Sequence, residues 1–432
     1  MLNLELLRRD PDRVRNASRR RGIGVEFVDR VLELDRERRA ALTLAESVKA
    51  EKNALTAEIG KAADKKEAAA RLRPQIAALD ARIAAAAAGI PALEAHIDAA
   101  LSDVPNLLDA RVPDGTDESH NVLVRAWGEP QQRPFAPRAH WEIGEALGIL
   151  DFDRATRLSG ARFAVLRGAG ARLSRALASF FLDRAARNGY LEINPPVLVA
   201  RSTMWATGQL TKFADQMYAF EGDGENDTLY LIPTAEVPLT AMHRDELLAG
   251  DTLPVRYCAH TPCFRKEAGA AGRDTRGLIR QHQFEKVELV WLTQPERSFD
   301  DLETLVNNAA SLLEELGLPY RVMLLSAGDT SFNAATTYDI EVWLAGANAY
   351  REISSCSNCT DFQARRANVR YRRDATAKPE FVHTLNGSGL PIGRMIAAVL
   401  EHGQRADGGV DLPAALQPFA GFASIEPDGS VR

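Results

Sequence analysis

The stretch 261–290, TPCFRKEAGAAGRDTRGLIRQHQFEKVELV, holds the densest set of side chains that could do chemistry. Two runs with strand character flank a loop rich in glycine and arginine. The first carries Phe264, Arg265 and Glu267, and the second carries Phe284, Glu285, Lys286, Val287 and Glu288. Residues two apart on a strand share a face, so Arg265 and Glu267 are predicted to point together. A guanidinium is a planar fork of donors suited to phosphate oxygens, and a carboxylate can accept from an exocyclic amine. Phe284, on the returning strand, supplies an aromatic face for a base. Together these residues predict a nucleotide site on an antiparallel hairpin rather than on a P-loop.

Three further groups are candidates for a site. Thr234 and Glu236, in PTAE at 233–236, offer a hydroxyl and a carboxylate from one side of an extended run; a turn capped by threonine would read the same way. Glu352 and Ser355, in EISSCSNC at 352–359, present the oxygen ligands that magnesium prefers. Asn386, Ser388 and Arg394 lie in NGSGLPIGR at 386–394, a glycine-rich turn predicted to open a helix over 395–401. Cys356-x-x-Cys359, with Cys258 and Cys263, has the composition of a zinc site or a redox pair, or of four small buried thiols. His282 reads either as a general base or as a packing and hydrogen-bonding group.

The segment 261–290 resembles motif 2 of the class II aminoacyl-tRNA synthetases. With the three shorter stretches in their expected order and a helical N-terminal arm, nearly the whole chain resembles the seryl-tRNA synthetase family. The resemblance implies ligation of L-serine to tRNA(Ser) in two steps, through a seryl-adenylate, and leaves open whether tRNA(Sec) is charged as well. It implies that Thr234, Ala235, Glu236, Arg265, Glu288, Asn386 and Ser388 surround serine. ATP would be bound by Arg265, Lys266, Glu267, Phe284, Glu352, Ile353, Ser354, Ser355 and Arg394. Glu352 and Ser355 would hold Mg2+ bridging the ATP phosphates, and Arg265 and Arg394 would be catalytic through their charge. The loop 268–280, with Arg273, Arg276 and Arg280, would meet the acceptor end of the tRNA. Rivals are a relative that passes the amino acid to a carrier protein, and a non-catalytic coiled-coil scaffold with a synthetase-like body.

These residues need elements to position them. Helical and strand-like runs alternate from Arg138 onward, and the hairpin lacks a crossover helix, so the predicted class is α+β: an antiparallel sheet flanked by helices. A helix over 168–188 followed by a strand over 190–197 that proline ends resembles motif 1, the family's dimer interface. Ahead of this body, Leu72, Ile76, Leu79, Ile83, Ala86, Ile90, Leu93, Ile97 and Ala100 alternate spacings of four and three, a heptad seam. Leu34, Ala41, Val48 and Leu55 repeat every seven. Long helices are therefore predicted over about 28–60 and 70–101, folded back on each other by the polar stretch 60–66. At 1.5 Å per residue they make an arm of roughly 45 to 50 Å. Gly89 and Pro91 are expected to kink or interrupt the second helix. Such a pair could be an oligomerising coiled coil; in the family it holds the long arm of the tRNA across a homodimer. Lys49, Lys52, Lys61, Lys65, Lys66, Arg71 and Arg73 would then meet backbone phosphates. The domains are set at 1–108 for the arm, 109–137 for a linker rich in proline and glycine, and 138–432 for the catalytic body.

Composition is permissive. A chain of 432 residues, 45% hydrophobic and 26% charged, is that of an ordinary globular protein with room for two domains. The net charge of −6 argues weakly against a nucleic-acid partner, but local charge decides that question. Arg8, Arg9, Arg13, Arg15, Arg19, Arg20 and Arg21 gather positive charge near the start. No signal peptide or membrane-length apolar run is evident. Four cysteines suit a reducing compartment, so a cytoplasmic protein without a membrane partner is expected.

Overall fold

The computed structural model describes residues 1–222, 228–267 and 276–432. They divide into two units, 2–104 and 105–432, with Met1 falling in the second.

The first unit is helical: α1 (Leu4–Arg9), α2 (Pro11–Arg20), α3 (Glu26–Lys61), α4 (Lys65–Ala87) and α5 (Ile90–Ser102). Helix α3 runs one residue past the expected end, and α4 starts five residues before the predicted 70. Asp64 closes the turn between them because its side chain accepts from the N–H groups of Lys66 and Glu67 at 2.9 and 3.0 Å. The second helix breaks at Ala88 and Gly89, and Pro91 falls in the first turn of α5, where its missing N–H is not needed. Every seam position is buried or half-buried, and their neighbours on the outer faces are exposed. Ion pairs fix an antiparallel register, with Arg38 on Glu94, Lys52 on Asp80 and Arg71 on Glu58. One polar residue sits inside the seam. Asp35 is fully buried and accepts from Arg8, Arg38 and Arg39, so Arg8 is committed to an internal pair.

The stretch Lys65–Ser102 is, by length and composition, long and apolar enough to cross a membrane, with a mean hydropathy of 1.5 over an 18-residue window. This corrects the expectation that no such run exists. Its apolarity comes largely from alanines, whose small methyl groups bury little area, and its larger side chains form the seam.

The second unit is built on eight strands: β1 (Val122–Trp127), β2 (Leu191–Glu192), β3 (Val255–Phe264), β4 (Gln283–Thr293), β5 (Tyr320–Leu324), β6 (Thr336–Leu344), β7 (Ala349–Thr360) and β8 (His383–Pro391). Their order is β1-β5-β6-β7-β8-β4-β3-β2. All neighbours are antiparallel except β2 and β3. Strand β1 lies within the stretch 109–137 that was expected to be linker, and it forms one edge of the sheet. The strand expected over 190–197 shrinks to β2, because Pro195 and Pro196 cannot donate to a ladder. Helices α6 (His140–Ala146), α7 (Ala169–Arg187), α8 (Glu236–Ala241), α9 (Ser298–Glu315), α10 (Phe362–Ala367) and α11 (Ile392–Gly403) complete the frame.

Alternation along the strands separates a dry face from a polar one. Val287, Leu289 and Trp291 of β4 and Cys356 of β7 pack with Leu177, Phe181, Leu305, Leu313, Ile396 and Val399 from α7, α9 and α11. The residues between them, Lys286 and Glu288 on β4 and Ser355 and Ser357 on β7, line a cavity on the opposite face. One register slip makes this possible. Ile340 pairs with Ser354 but Glu341 pairs with Glu352, so Ile353 is the extra residue of a bulge. The bulge reverses the alternation and brings Glu352 and Ser355, three apart, to the same cavity.

Candidate active site

Two adjoining cavities, about 790 and 60 Å3, share Arg265, Glu267, Arg280, Lys286, Glu352 and Ser388. The larger takes in Thr234, Glu236, Glu288, Ser355 and Asn386; the smaller takes in Phe284 and Arg394.

At the closed end of the larger cavity, Thr234 donates to Glu288 Oε2 at 2.9 Å and accepts from Lys286 Nζ at 2.9 Å. Lys286 also pairs directly with Glu288, and all three side chains are buried. Thr234 is not in an extended run. Its hydroxyl accepts from the Glu236 N–H at 3.3 Å just ahead of α8, whose N-cap is Ala235, so it braces the turn into the helix and lines the cavity at once. Gln363 of α10 donates to Glu236 Oε1 at 2.6 Å and accepts from Thr384 at 2.6 Å. Burial, and then the charge of Glu288, push the Glu236 carboxyl from 4.5 up to about 7, against the bond from Gln363.

At the other end, the Arg265 guanidinium stands 5.2 Å from the centre of the Phe284 ring. Strand β3 ends at Phe264, so Arg265 and Glu267 lie beyond it, and shared strand parity does not bring them together. Glu267 adopts φ +48 and pairs with Arg280 at 2.7 Å. Arg394, in the first turn of α11, reaches Glu352 Oε1 at 3.2 Å and the Glu352 carbonyl at 2.7 Å. That guanidinium foremost, then Arg265, holds the Glu352 carboxyl below its usual range against desolvation. Asp339, opposite Ser355 on β6, goes the other way: burial and the nearby Glu352 charge push it well up. Glu352 is therefore the charged oxygen of the pair, beside the Ser355 hydroxyl. Hard oxygen donors of this kind fit a magnesium ion.

Not every expected side chain arrives. Ala235 packs against Leu239, Tyr257 and Val290, and Ile353 belongs to the helix-side core. Ser354 turns its hydroxyl onto the Ser388 carbonyl at 2.7 Å. Contacts from these three to a ligand would have to be made by the backbone. Lys266 donates from its backbone to the Gln216 carbonyl and carries its ammonium 5.7 Å from the Tyr218 ring, outside the residues lining either cavity. Residues 268–275, including Arg273, lie outside the described residues. Conversely Gln363 and Asp339 were not singled out, and Lys286, named on the second run, was given no role. For Lys286 the signal was present: it is two residues from both Phe284 and Glu288. Gln363 and Asp339 carry no local signal.

The decoys resolve by geometry. An odd spacing on a strand puts Cys356 in the core and Cys359 on the cavity, where Asn386 donates to its sulfur at 3.5 Å. Burial pushes the Cys356 thiol up to about 12 and the Cys359 thiol well up, which disfavours the thiolate a metal or redox pair needs. The His282 ring bonds the Arg265 carbonyl at 3.1 Å and packs on Phe163, a structural use.

Comparison with known proteins converges on the same parts of the chain. Residues 1–108 match the seryl-tRNA synthetase N-terminal domain, and residues 218–403 match the tRNA synthetase class II core domain (G, H, P, S and T). A serine–tRNA ligase of Desulfitobacterium hafniense (strain DSM 10664 / DCB-2) is 50% identical over 425 residues, covering 98% of this chain and 100% of the relative. One from Thermotoga neapolitana is also 50% identical, over 430 residues, with the same coverage. The crystal structure of seryl-tRNA synthetase from Pyrococcus horikoshii complexed with ATP superposes with a TM-score of 0.91 at 38% identity, covering 99% of this chain and 100% of that one. Matches at this identity that cover 98% or more of both chains span the arm, the hairpin and the cavity, and the chain belongs to the seryl-tRNA synthetase family.

Proposed function

We propose that this chain attaches L-serine to tRNA(Ser) in two steps through seryl-adenylate. The observation that carries the reading is the buried Thr234–Lys286–Glu288 cluster, with Glu236 beside it, opening directly onto the Arg265–Phe284 and Arg394–Glu352 groups. Glu288 and Glu236 would hold the serine ammonium. Hydroxyl and amide partners such as Thr234, Asn386 and Ser388 would meet its side chain, and a substrate without the hydroxyl would leave them unpaired. Adenine would lie on Phe284, with Arg394 across from it. Glu352 and Ser355 would hold the magnesium ion, whose charge offsets that of the ATP phosphates.

Serine's carboxylate is ionised at neutral pH, so its attack on the α-phosphorus needs no strong base. The protein's part is to place the reactants in line and to stabilise charge as pyrophosphate leaves. The adenosine end of the tRNA then attacks the mixed anhydride. Exposed Lys49, Lys61, Lys65, Lys66 and Arg73 on the arm would contact tRNA phosphates. Lys52 and Arg71 would join them by exchanging their cross-helix carboxylates, since exposed pairs are weak. Whether tRNA(Sec) is served would follow from the same arm contacts. A homodimer fits the exposed Leu191 on edge strand β2, and four free thiols fit the cytoplasm.

Serine-dependent exchange of pyrophosphate into ATP tests the reading. Arg265→Ala should reduce it about 100- to 1000-fold without unfolding the chain, the loss expected when one donor to developing charge is removed. Near-normal exchange in the variant would remove Arg265 from the mechanism.

A further inference from the structure

Helix α11 is held near both ends by residues 277–280, and the hold at its far end passes through a buried imidazole. Arg394 and Glu401 are seven residues apart, two turns along one side of the helix. Glu401 Oε1 accepts from the His140 backbone N–H at 3.0 Å and from His140 Nδ1 at 2.8 Å, while Oε2 accepts from the Gly346 N–H at 2.7 Å. Both side chains of this pair are 1% exposed. On its other side, His140 Nε2 accepts from the Leu278 N–H at 3.0 Å. A backbone amide can only donate, so Nε2 carries the lone pair and Nδ1 the proton. Glu401 thus sets both the orientation and the tautomer of the ring.

The four residues that follow convert this into a hold on the cavity. Gly277 adopts φ +85 and passes so close that a Cβ would sit 2.2 Å from His140 Nε2, an approach only glycine allows. Leu278 gives its amide to the ring. The Ile279 carbonyl accepts from Arg394 Nε at 3.1 Å, and Arg280 pairs with Glu267 at 2.7 Å. One buried ring therefore fixes a short segment that orients the arginine and the carboxylate at the nucleotide end. The Thr234–Lys286–Glu288 cluster draws on other elements and does not depend on this segment.

We propose that His140, oriented by Glu401, is a positioning residue for ATP: it anchors Leu278 so that the following two residues hold Arg394 and Glu267 in place. The inference rests on the reading that ATP lies against Arg394 and Phe284. Its signature is a selective one, a loss at the nucleotide end with the serine end intact.

Equilibrium ATP binding in the presence of Mg2+, and the KM values for ATP and serine in pyrophosphate exchange, test this on the full chain. His140→Asn keeps a donor for Glu401 but has nothing to offer Leu278, and His140→Gln can reach Leu278 with its carbonyl. The Asn variant should weaken ATP binding and raise the ATP KM tenfold or more, with serine KM within twofold and the melting temperature little changed. The Gln variant should recover most of the ATP affinity. Gly277→Ala, which pushes the segment off the ring while leaving the residues His140 and Glu401 themselves in place, should reproduce the selective ATP loss if the Asn variant fails to fold. Unchanged ATP affinity in the Asn or Ala variant, equal losses for ATP and serine, or equal losses in Asn and Gln would each overturn the proposal. Wild type that binds ATP without serine-dependent exchange would sink the serine reading and leave this one standing. Wild type that binds no ATP would end both.

Discussion

Glu236 and Glu288 bring two carboxylates into one cavity that holds a single buried ammonium, that of Lys286. One negative charge more than the lysine can balance leaves room for a cationic ligand, and burial first, then the Glu288 charge, raises the Glu236 pKa to about 7. Since its unfolded value is near 4.5, the folded chain binds a proton that the unfolded chain has lost, and stability falls as pH rises between the two. Glu236→Gln removes this cost, on the order of 3 kcal/mol at most. The gain in melting temperature over wild type should therefore be larger at pH 8 than at pH 5.5. Serine, whose ammonium favours the ionised form, should narrow that gap at pH 8. A gain independent of pH would show that Glu236 does not titrate in this range. At this scale residue type brought most of the candidate side chains to the two cavities, because chemistry restricts which side chains suit a phosphate, an ammonium or magnesium. It was weaker for geometry: Arg265 and Glu267 line the smaller cavity from beyond their strand, and Gln363 reaches Glu236 from a helix 127 positions away.

Among elements, period-two alternation explains why β4 can be greasy on one side and carry Lys286 and Glu288 on the other. The same rule, applied to Glu352 and Ser355, would have put them on opposite faces, and only the bulge at Ile353 corrects it. Bulges depend on the partner strand, so a local pattern cannot reveal them. The arm shows the reverse case. Its heptad repeat was plain from spacing alone, yet Asp35 at a seam position was not, because its partner Arg8 lies outside the repeat. Desolvation alone would raise the Asp35 pKa, but the hydrogen bonds and charge of Arg8, with Arg38 and Arg39, lower it overall. Its contribution is therefore complete above the ordinary value of 3.8 and is lost as pH falls through the lower folded value. Asp35→Ala leaves three arginines facing each other and should cost about 3 kcal/mol near neutral pH. Amide hydrogen exchange across α1 and the first half of α3 should speed up accordingly. Unaltered protection there would mean the arginines find water at no loss.

For the whole molecule, the account assigns serine activation and the grip on the body of the tRNA to separate parts of the chain. Every side chain placed around serine and ATP lies in the unit 105–432, as does the loop 268–280 expected to meet the acceptor end, whereas the exposed basic side chains assigned to the tRNA's backbone phosphates lie on the arm in the unit 2–104. Deleting residues 34–97 and closing the gap with a short flexible linker should therefore part the two steps. Measured side by side on the full chain and the deletion, serine-dependent pyrophosphate exchange should stay within a fewfold. Charging of tRNA(Ser) should collapse through weaker binding and recover in part at low salt, where the remaining phosphate contacts strengthen. Loss of exchange in a folded deletion protein would make the arm part of the activating site, and undiminished charging at ordinary tRNA concentrations would show that the arm does not hold the tRNA; either result contradicts the account.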